Sequence, residues 1–298
     1  MNAPRSLVGI ISFLIILPVT TSSIADLPTH SPVPGGVAVL TLAPLSLVRP
    51  IAHFGNRELL VVKSNQSWVA LVGLPCEILP GNYIVRTEDD EGEVGSVELA
   101  VFPIAPKIVN QIENAESSSN QAQYAGIKQS SLIVGMVEPD DSSLFNQSIK
   151  PVARERAVFS GRIRPDFEFV PIVDSRETVP YGKLIQGKRT ITHDYISYLG
   201  TPGDQVYSPA AGNVVEVIES ADNGFTIHIS HGGNVFSILG HLAQVSIHEG
   251  QPLDAGEQVG STRQLNIGER GKLDWGLQMN GFLVNPFLLS RKVDPASE

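Results

Sequence analysis

Cysteine is nearly absent from this sequence, which holds a single one, Cys76, in 298 residues. One cysteine cannot form a disulfide within the chain, so the sequence is not that of a small extracellular domain held by a disulfide framework. The neighbours of Cys76 in Leu74-Pro75-Cys76-Glu77-Ile78 are mostly apolar. They favour a packed thiol over a reactive one.

Long hydrophobic segments are equally scarce, and the one candidate lies at the N-terminus. Leu7–Val19 is apolar, and Arg5 is the only charged side chain in Met1–Ala25. The apolar run is too short to cross a membrane comfortably, and Ser23-Ile24-Ala25 offers the small residues that a signal peptidase needs. We therefore expect a signal peptide over residues 1–25 and no membrane span after its removal, with an uncleaved anchor as the alternative. Export without a disulfide framework favours a bacterial periplasm.

Basic residues are outnumbered by acidic ones. The chain has 21 Lys and Arg against 31 Asp and Glu, a formal net charge of −10 at pH 7. Loss of the signal peptide removes one basic residue and no acidic one, which gives −11. This charge disfavours nucleic acid and anionic membrane surfaces as partners, and it leaves a cationic protein partner open.

Short apolar runs between turn signals predict an all-β protein. Such runs recur in the first half between turns such as Gly55-Asn56 and Pro80-Gly81-Asn82, which predicts a β-sandwich over residues 35–106. The strands predicted there are Val37–Leu40, Glu58–Val62, Trp68–Leu71, Tyr83–Arg86 and Val97–Phe102.

The remainder of the chain divides into a polar stretch and a second β-rich part. Residues 107–157 include a serine-rich segment and are interpreted as a connector, in which Ile108–Ala115 is the best candidate for a helix. Residues 158–292 form the second part. Its clearest predicted strands are Gly212–Ile218, Phe225–Ser230, Val235–Leu239 and Leu273–Met279.

The second β-rich part carries an ordered series of short motifs. In chain order they are His193-Asp194-Tyr195-Ile196-Ser197, Ser208-Pro209-Ala210-Ala211-Gly212, Ser230-His231-Gly232, Leu239-Gly240-His241-Leu242, Lys272-Leu273-Asp274-Trp275, Asn280-Gly281 and Asn285-Pro286. Across this series the chain resembles the lysostaphin-like (LytM-type) murein endopeptidases. The resemblance implies a duplicated-hybrid-motif β-sheet domain, and residues 35–106 are more weakly similar to the β-domain that often precedes it.

The resemblance also implies which positions once carried chemistry. In that family one zinc ion is held by two histidines and an aspartate, and two further histidines handle protons and the oxyanion. Position by position, His193 and Asp274 stand at former metal-ligand positions, and Ser197 replaces the ligand aspartate. His241 and Lys272 stand at the two catalytic positions, where Lys272 replaces a histidine.

Lys272 is the substitution with the strongest chemical consequence. Residues i and i+2 of a strand point to the same face, so Lys272 and Asp274 should lie side by side. An ammonium about 4 Å from a dication costs several kcal/mol at an effective dielectric constant of about 20. We therefore predict that Lys272 pairs with Asp274, and no cofactor is expected.

Three functions compete at this point. The first is a catalytically degenerate envelope protein that binds or regulates cell-wall hydrolases, with peptidoglycan or a cell-wall amidase as its partner. The second is an active zinc metalloendopeptidase that cleaves peptidoglycan cross-link peptides, with a remodelled site built from His193, Asp274 and a third ligand such as Asp194. The third is a structural envelope module. Neither His228 nor His231 is expected to act in any of them, because both are interpreted as packing or surface residues.

Overall fold

The computed structural model describes residues 27–44, 48–64, 66–89, 91–108, 169–170, 172–173, 178–186, 189–221, 224–264 and 270–289. The predicted signal peptide and all but the first two residues of the predicted connector lie outside these ranges. Within them the chain is almost entirely β-structure, as predicted. No helix in the described ranges is long and apolar enough to cross a membrane.

The described residues form the following strands and one short helix. They are β1 (Val37–Pro44), β2 (Ile51–Phe54), β3 (Arg57–Glu58), β4 (Leu60–Ser64), β5 (Ser67–Gly73), β6 (Gly81–Glu88), β7 (Val94–Val101), β8 (Lys107–Ile108), β9 (Thr178–Val179), β10 (Gly182–Gln186), β11 (Arg189–His193), β12 (Ile196–Gly200), β13 (Gln205–Tyr207), β14 (Gly212–Ser220), β15 (Gly224–Gly232), β16 (Val235–Val245), β17 (Pro252–Leu253), β18 (Gln258–Gln264), β19 (Gly271–Met279), β20 (Phe282–Val284) and the 3₁₀ helix Pro286–Leu288.

The predicted N-terminal sandwich consists of a three-stranded sheet, β1-β5-β4, and a four-stranded sheet, β3-β2-β6-β7. Alternate residues of the first sheet, such as Val61 and Ala70, share a core with Ala52 and Val85 of the second sheet. Because successive side chains of a strand point to opposite faces, this interface uses only one face of β1-β5-β4.

The other face of β1-β5-β4 is equally apolar and packs on the C-terminal part. Leu60, Val69 and Leu71 belong to the same buried cluster as Val235 and Met279, which lie on β16 and β19. A sheet covered on both faces needs nearly continuous apolar strands, and β1, β4 and β5 have that composition. The sheet is therefore the middle layer of the molecule, shared by two cores.

A turn of the C-terminal part is bound directly to the middle layer. Asn280, between β19 and β20, accepts a hydrogen bond from the Gly73 amide at 2.7 Å and donates one to the Gly73 carbonyl at 3.3 Å. The Arg57 side chain donates to the Asn280 carbonyl at 3.2 Å and lies 4.3 Å over the ring of Phe282. Gly281 has a φ of 80°, and a Cβ there would fall 1.8 Å from Arg57 Nη1. Glycine adopts this φ without strain, and a side chain there would displace the Arg57 guanidinium.

The C-terminal part is built on one large sheet with the strand order β17-β14-β15-β16-β18-β19-β12-β9. Its centre is a junction, because β16 pairs with β19 along Val235–Gly240 and with β18 from Leu242 onward. Strand β12 pairs with the other side of β19. These strands carry four of the five residues that the motifs single out.

A small sheet, β11-β10-β8, brings His193 to the same region. Strand β11 ends at His193, and β10 pairs with both β11 and, in parallel, Lys107–Ile108 of β8. Ile108, the first residue of the predicted helix candidate, is therefore in a strand, because its backbone pairs with β10. The rest of that candidate lies outside the described residues.

Candidate functional site

Strand register places three of the candidate side chains on one face of the large sheet. Ser197 of β12 lies directly opposite Asp274 of β19, and directly opposed residues share a face. Lys272 lies two residues before Asp274 on β19 and so points the same way. The side-by-side arrangement of Lys272 and Asp274 predicted from their spacing is confirmed.

His241 reaches this face through a β-bulge in β16. Leu239 lies opposite Ile227 of β15 but Leu242 lies opposite Phe225, so β16 holds one extra residue across this step. Regular alternation would turn His241 to the face of Leu239, which pairs with Trp275 and faces away from Asp274. His241 instead has a φ of 62°, in the left-handed region, and its ring meets Asp274.

Asp274 is the centre of the resulting cluster. Its Oδ2 lies 3.2 Å from Lys272 Nζ and 3.0 Å from His241 Nε2, while Ser197 Oγ donates to Oδ1 at 2.5 Å. The contacts of Oδ2 do not have the angles of hydrogen bonds: among the described residues, Oδ2 and both ring nitrogens of His241 lack a hydrogen-bond partner. Attraction of charge, rather than directional bonding, therefore holds Lys272 beside the carboxylate, and the His241 ring contacts the same oxygen.

The electrostatics keep Asp274 ionised. Burial alone would raise the pKa of its carboxyl group, but Lys272, His241 and the Ser197 hydrogen bond outweigh burial and hold that pKa well below its ordinary value. The cluster is thus a buried carboxylate whose charge is balanced by neighbouring side chains.

His193 joins the cluster as a neutral ring. Burial lowers the pKa of His193 to about 4, so the imidazole carries a single proton at neutral pH. Nδ1 lies 3.0 Å from the Pro180 carbonyl, which can only accept, so the proton is assigned to Nδ1. Nε2 then turns a lone pair toward Ser197 Oγ at 3.3 Å, while the Ser197 hydroxyl proton is directed to Asp274.

One aromatic residue, Tyr195, makes two contacts with the cluster that the spacing of the motifs does not predict. The ring of Tyr195 lies 4.0 Å from that of His193, and Lys272 Nζ lies 5.8 Å from the Tyr195 centroid, within range of a cation–π contact. Tyr195 therefore packs against both ends of the cluster, although only its place between His193 and Ser197 in the first motif pointed toward it.

His231, interpreted from sequence as a packing or surface residue, takes part in a buried polar network. Its Nδ1 lies 2.9 Å from the Ala211 carbonyl and so carries the proton, and its Nε2 lies 2.9 Å from Ser237 Oγ. Trp275 Nε1 donates to the same Ser237 oxygen at 3.2 Å. The network fixes Trp275, the residue after Asp274, and so supports β19 where it carries the cluster.

Two domain families match the chain in the order in which the structure places its two parts. Residues 30–94 match the model of the peptidase family M23 N-terminal domain, and residues 192–286 match that of peptidase family M23. The chain thus carries a peptidase family M23 domain, preceded by an M23 N-terminal domain. The resemblance carried by the motifs from His193 to Pro286 is thereby confirmed.

One solved structure has the same fold over most of both chains. A protein from Pseudomonas aeruginosa assigned to peptidase M23 is 20% identical, with a TM-score of 0.61 over 87% of this chain and 95% of that chain. Helicobacter pylori Csd3 matches at 19% identity and a TM-score of 0.37 over 43% of this chain and 34% of its own. The catalytic domain of Enterococcus faecalis EnpA matches at 24% identity and a TM-score of 0.35 over 41% of this chain and 95% of its own. A search of curated proteins gives no match.

The M23 site of this chain does not fit the zinc ion that the family resemblance implies. A catalytic zinc takes three protein ligands, whereas the ligand positions here hold one histidine, one carboxylate and a hydroxyl that donates to that carboxylate. The carboxylate is also in contact with an ammonium. No group of three or more His, Cys, Asp or Glu side chains in the described part of the chain is placed to hold a metal.

Asp194, the alternative third ligand, belongs to no such group among the described residues. Its charge acts instead on the Cys76 thiol, whose pKa is raised to about 12, chiefly by burial. The raised pKa keeps Cys76 a neutral, unreactive thiol at neutral pH, in line with the packing role predicted for it.

The M23 site is also closed to solvent. His193, Ser197, His241, Lys272 and Asp274 are between 0% and 6% exposed. These side chains therefore present almost no surface to a molecule that approaches from outside.

Proposed function

We propose that this protein is a catalytically inactive M23 homologue of the bacterial cell envelope that binds or regulates a cell-wall hydrolase. The observation that carries the proposal is the Lys272 ammonium 3.2 Å from Asp274, at a former ligand position. A fixed cation there repels a dication, and without the dication no water is activated and no scissile carbonyl is polarised.

The surviving catalytic-position histidine does not compensate. A general base needs hydrogen-bonding reach to the proton that it takes from the reacting group. His241 is 1% exposed and its Nε2 is directed at Asp274. It therefore packs beside Asp274 inside the cluster and does not reach a substrate from outside.

Partner binding then uses the outer surface of the molecule and not the former site. The net charge of −10 supports a cationic protein partner, such as a cell-wall amidase, over bulk peptidoglycan. The apolar segment and small-residue cleavage site at the N-terminus support export to the periplasm, where such hydrolases act.

The first experiment measures zinc content and hydrolysis. The mature chain, purified without chelator and assayed on purified sacculi and cross-link peptides, is expected to carry no stoichiometric zinc and to release no peptide fragments. Ser197→Asp/Lys272→His/Asp274→His restores the family's residues and is the matched control for metal loading. Tightly held zinc with hydrolysis by the wild type would instead establish the remodelled metalloendopeptidase.

The second experiment measures regulation. Purified cell-wall amidases from the same organism are assayed on sacculi with and without the mature chain, and at least one is expected to release more product in its presence. Assayed at a temperature at which it is fully folded, the Lys272→His single variant should stimulate equally, because binding does not use the buried cluster. If no amidase is stimulated and none binds, the protein is a structural envelope module.

A further inference from the structure

The buried carboxylate of Asp274 links three strands of the M23 domain. Ser197 reaches it from β12, His241 from β16 and Lys272 from β19 itself. Asp274 is fully buried, so water cannot solvate its charge. An ionised carboxylate in that position is tolerated only if neighbouring groups supply opposite charge.

Lys272 is the group best suited to supply that charge. Its side chain is 8% exposed, its Nζ lies 3.2 Å from Asp274 Oδ2, and the contact is ionic without hydrogen-bond alignment. A lysine ammonium is a compact point charge without a fixed bonding plane, which is the property that it shares with a metal ion. The face of Tyr195 lies 5.8 Å from the same nitrogen.

Ser197 is another residue at which this cluster differs from a zinc site. Its hydroxyl lies between His193 Nε2 at 3.3 Å and Asp274 Oδ1 at 2.5 Å, so residue 197 is the point where the two former ligand positions meet. A carboxylate at residue 197 would add a second negative charge beside Asp274 and a third ligand beside His193. The hydroxyl adds neither, which leaves one negative charge for one ammonium.

We infer that Lys272 is an internal cation that takes over the structural charge of a metal ion, so that folding of this M23 domain depends on Lys272 and not on metal. The inference rests on the proposed absence of zinc from the wild-type protein. It adds that Lys272 and Ser197 act together. The Lys272 ammonium excludes a dication, and the absence of a carboxylate at residue 197 keeps the cluster neutral when no metal is bound.

Stability of the full mature chain tests the first half of this inference. Lys272→Gln should lower the Tm by roughly 5–15 °C, because it leaves a buried carboxylate without its cation. Lys272→Gln/Asp274→Asn removes both charges and should recover most of that loss. A Lys272→Gln variant as stable as the wild type would overturn the inference.

Zinc titration tests the second half. Ser197→Asp/Lys272→Gln should gain about 5–10 °C in Tm with saturating zinc, reversed by chelator, since ligand binding to the folded state stabilises it. The wild type and Ser197→Asp, which keep the ammonium, should not respond. An equal response of Ser197→Asp, or no response of the double variant, would show that Lys272 does not exclude the metal.

The zinc test still gives a clear answer if a variant folds poorly. If Ser197→Asp/Lys272→Gln refolds only when zinc is present, the exchange of cation for metal is supported. If it refolds under neither condition while Lys272→Gln/Asp274→Asn does refold, the exchange is overturned. Hydrolysis of sacculi by the wild type, in contrast, would defeat the proposed function and not the dependence of stability on Lys272.

Discussion

At the scale of single residues, His241 has the most unusual backbone in the cluster. A φ of 62° is costly for any residue that has a Cβ, by about 1–2 kcal/mol. The bulge that imposes it turns the imidazole from the Trp275 face to the Asp274 face. The backbone strain is thus offset by the contact of the ring with the buried carboxylate.

Substitution of His241 separates the backbone strain from the contact of the ring. His241→Ala and His241→Gly both remove the imidazole, but only glycine adopts a positive φ without strain. We expect the alanine variant to be less stable than the glycine variant by about 1 kcal/mol, measured as the free energy of unfolding in urea. Equal stabilities would mean that β16 relaxes to a regular strand once the ring is gone.

His231 gives the M23 domain a dependence on pH. Burial lowers the pKa of His231 to about 4, below its ordinary value of 6.5, so the unfolded chain binds the proton more tightly. The neutral His231 ring therefore contributes to the free energy of unfolding, and this contribution is fully present above pH 6.5 and is lost as the pH falls toward 4. Across that window, His231→Asn should show a slope of unfolding free energy against pH smaller by about 1 kcal/mol per pH unit. An unchanged slope would mean that His231 is already charged in the folded protein.

At the scale of strands, some contacts between side chains follow from the sequence pattern and others do not. The spacing of Lys272 and Asp274 gives their common face directly, because strand alternation is local. The apolar runs of β1, β4 and β5 also indicate burial on both faces of their sheet. The bulge of β16 is not visible in the sequence, because its extra residue appears only against the register of β15. Strand alternation alone therefore did not predict the contact of His241 with Asp274, although the family resemblance placed both residues at one site.

The β19–β20 turn acts as a clamp on the middle layer through Asn280. Asn280→Gly keeps the positive φ of 41° and removes both hydrogen bonds to Gly73. It should cost about 2–3 kcal/mol, because buried backbone groups lose their partners. Asn280→Ala should cost about 1 kcal/mol more, for backbone strain. Hydrogen exchange at the Gly73 amide is the local readout, and undiminished protection there would contradict the clamp.

At the scale of the whole molecule, the two parts share one sheet. The β1-β5-β4 layer contributes to the N-terminal core through one face and to the M23 core through the other. Leu60 of this layer also packs against the Gly233 turn, where a Cβ would fall 2.6 Å from Leu60 Cδ1. Removing the M23 part would leave one apolar face of the layer in water, and removing the N-terminal part would take the layer away and expose the M23 core that packs on it. Neither part therefore has a complete core of its own.

Because the layer is shared, the whole molecule should unfold as one cooperative unit. The chain has only two tryptophans: Trp68 packs against the N-terminal core and Trp275 lies in the M23 core. Trp275→Phe and Trp68→Phe therefore leave fluorescence probes in opposite parts. In each variant we expect the fluorescence transition in urea to coincide with loss of far-ultraviolet circular dichroism, with the same slope m. In Trp275→Phe, a change in Trp68 fluorescence at a lower urea concentration than the loss of circular dichroism would mean that the N-terminal part unfolds separately. The shared sheet would then not couple the two cores.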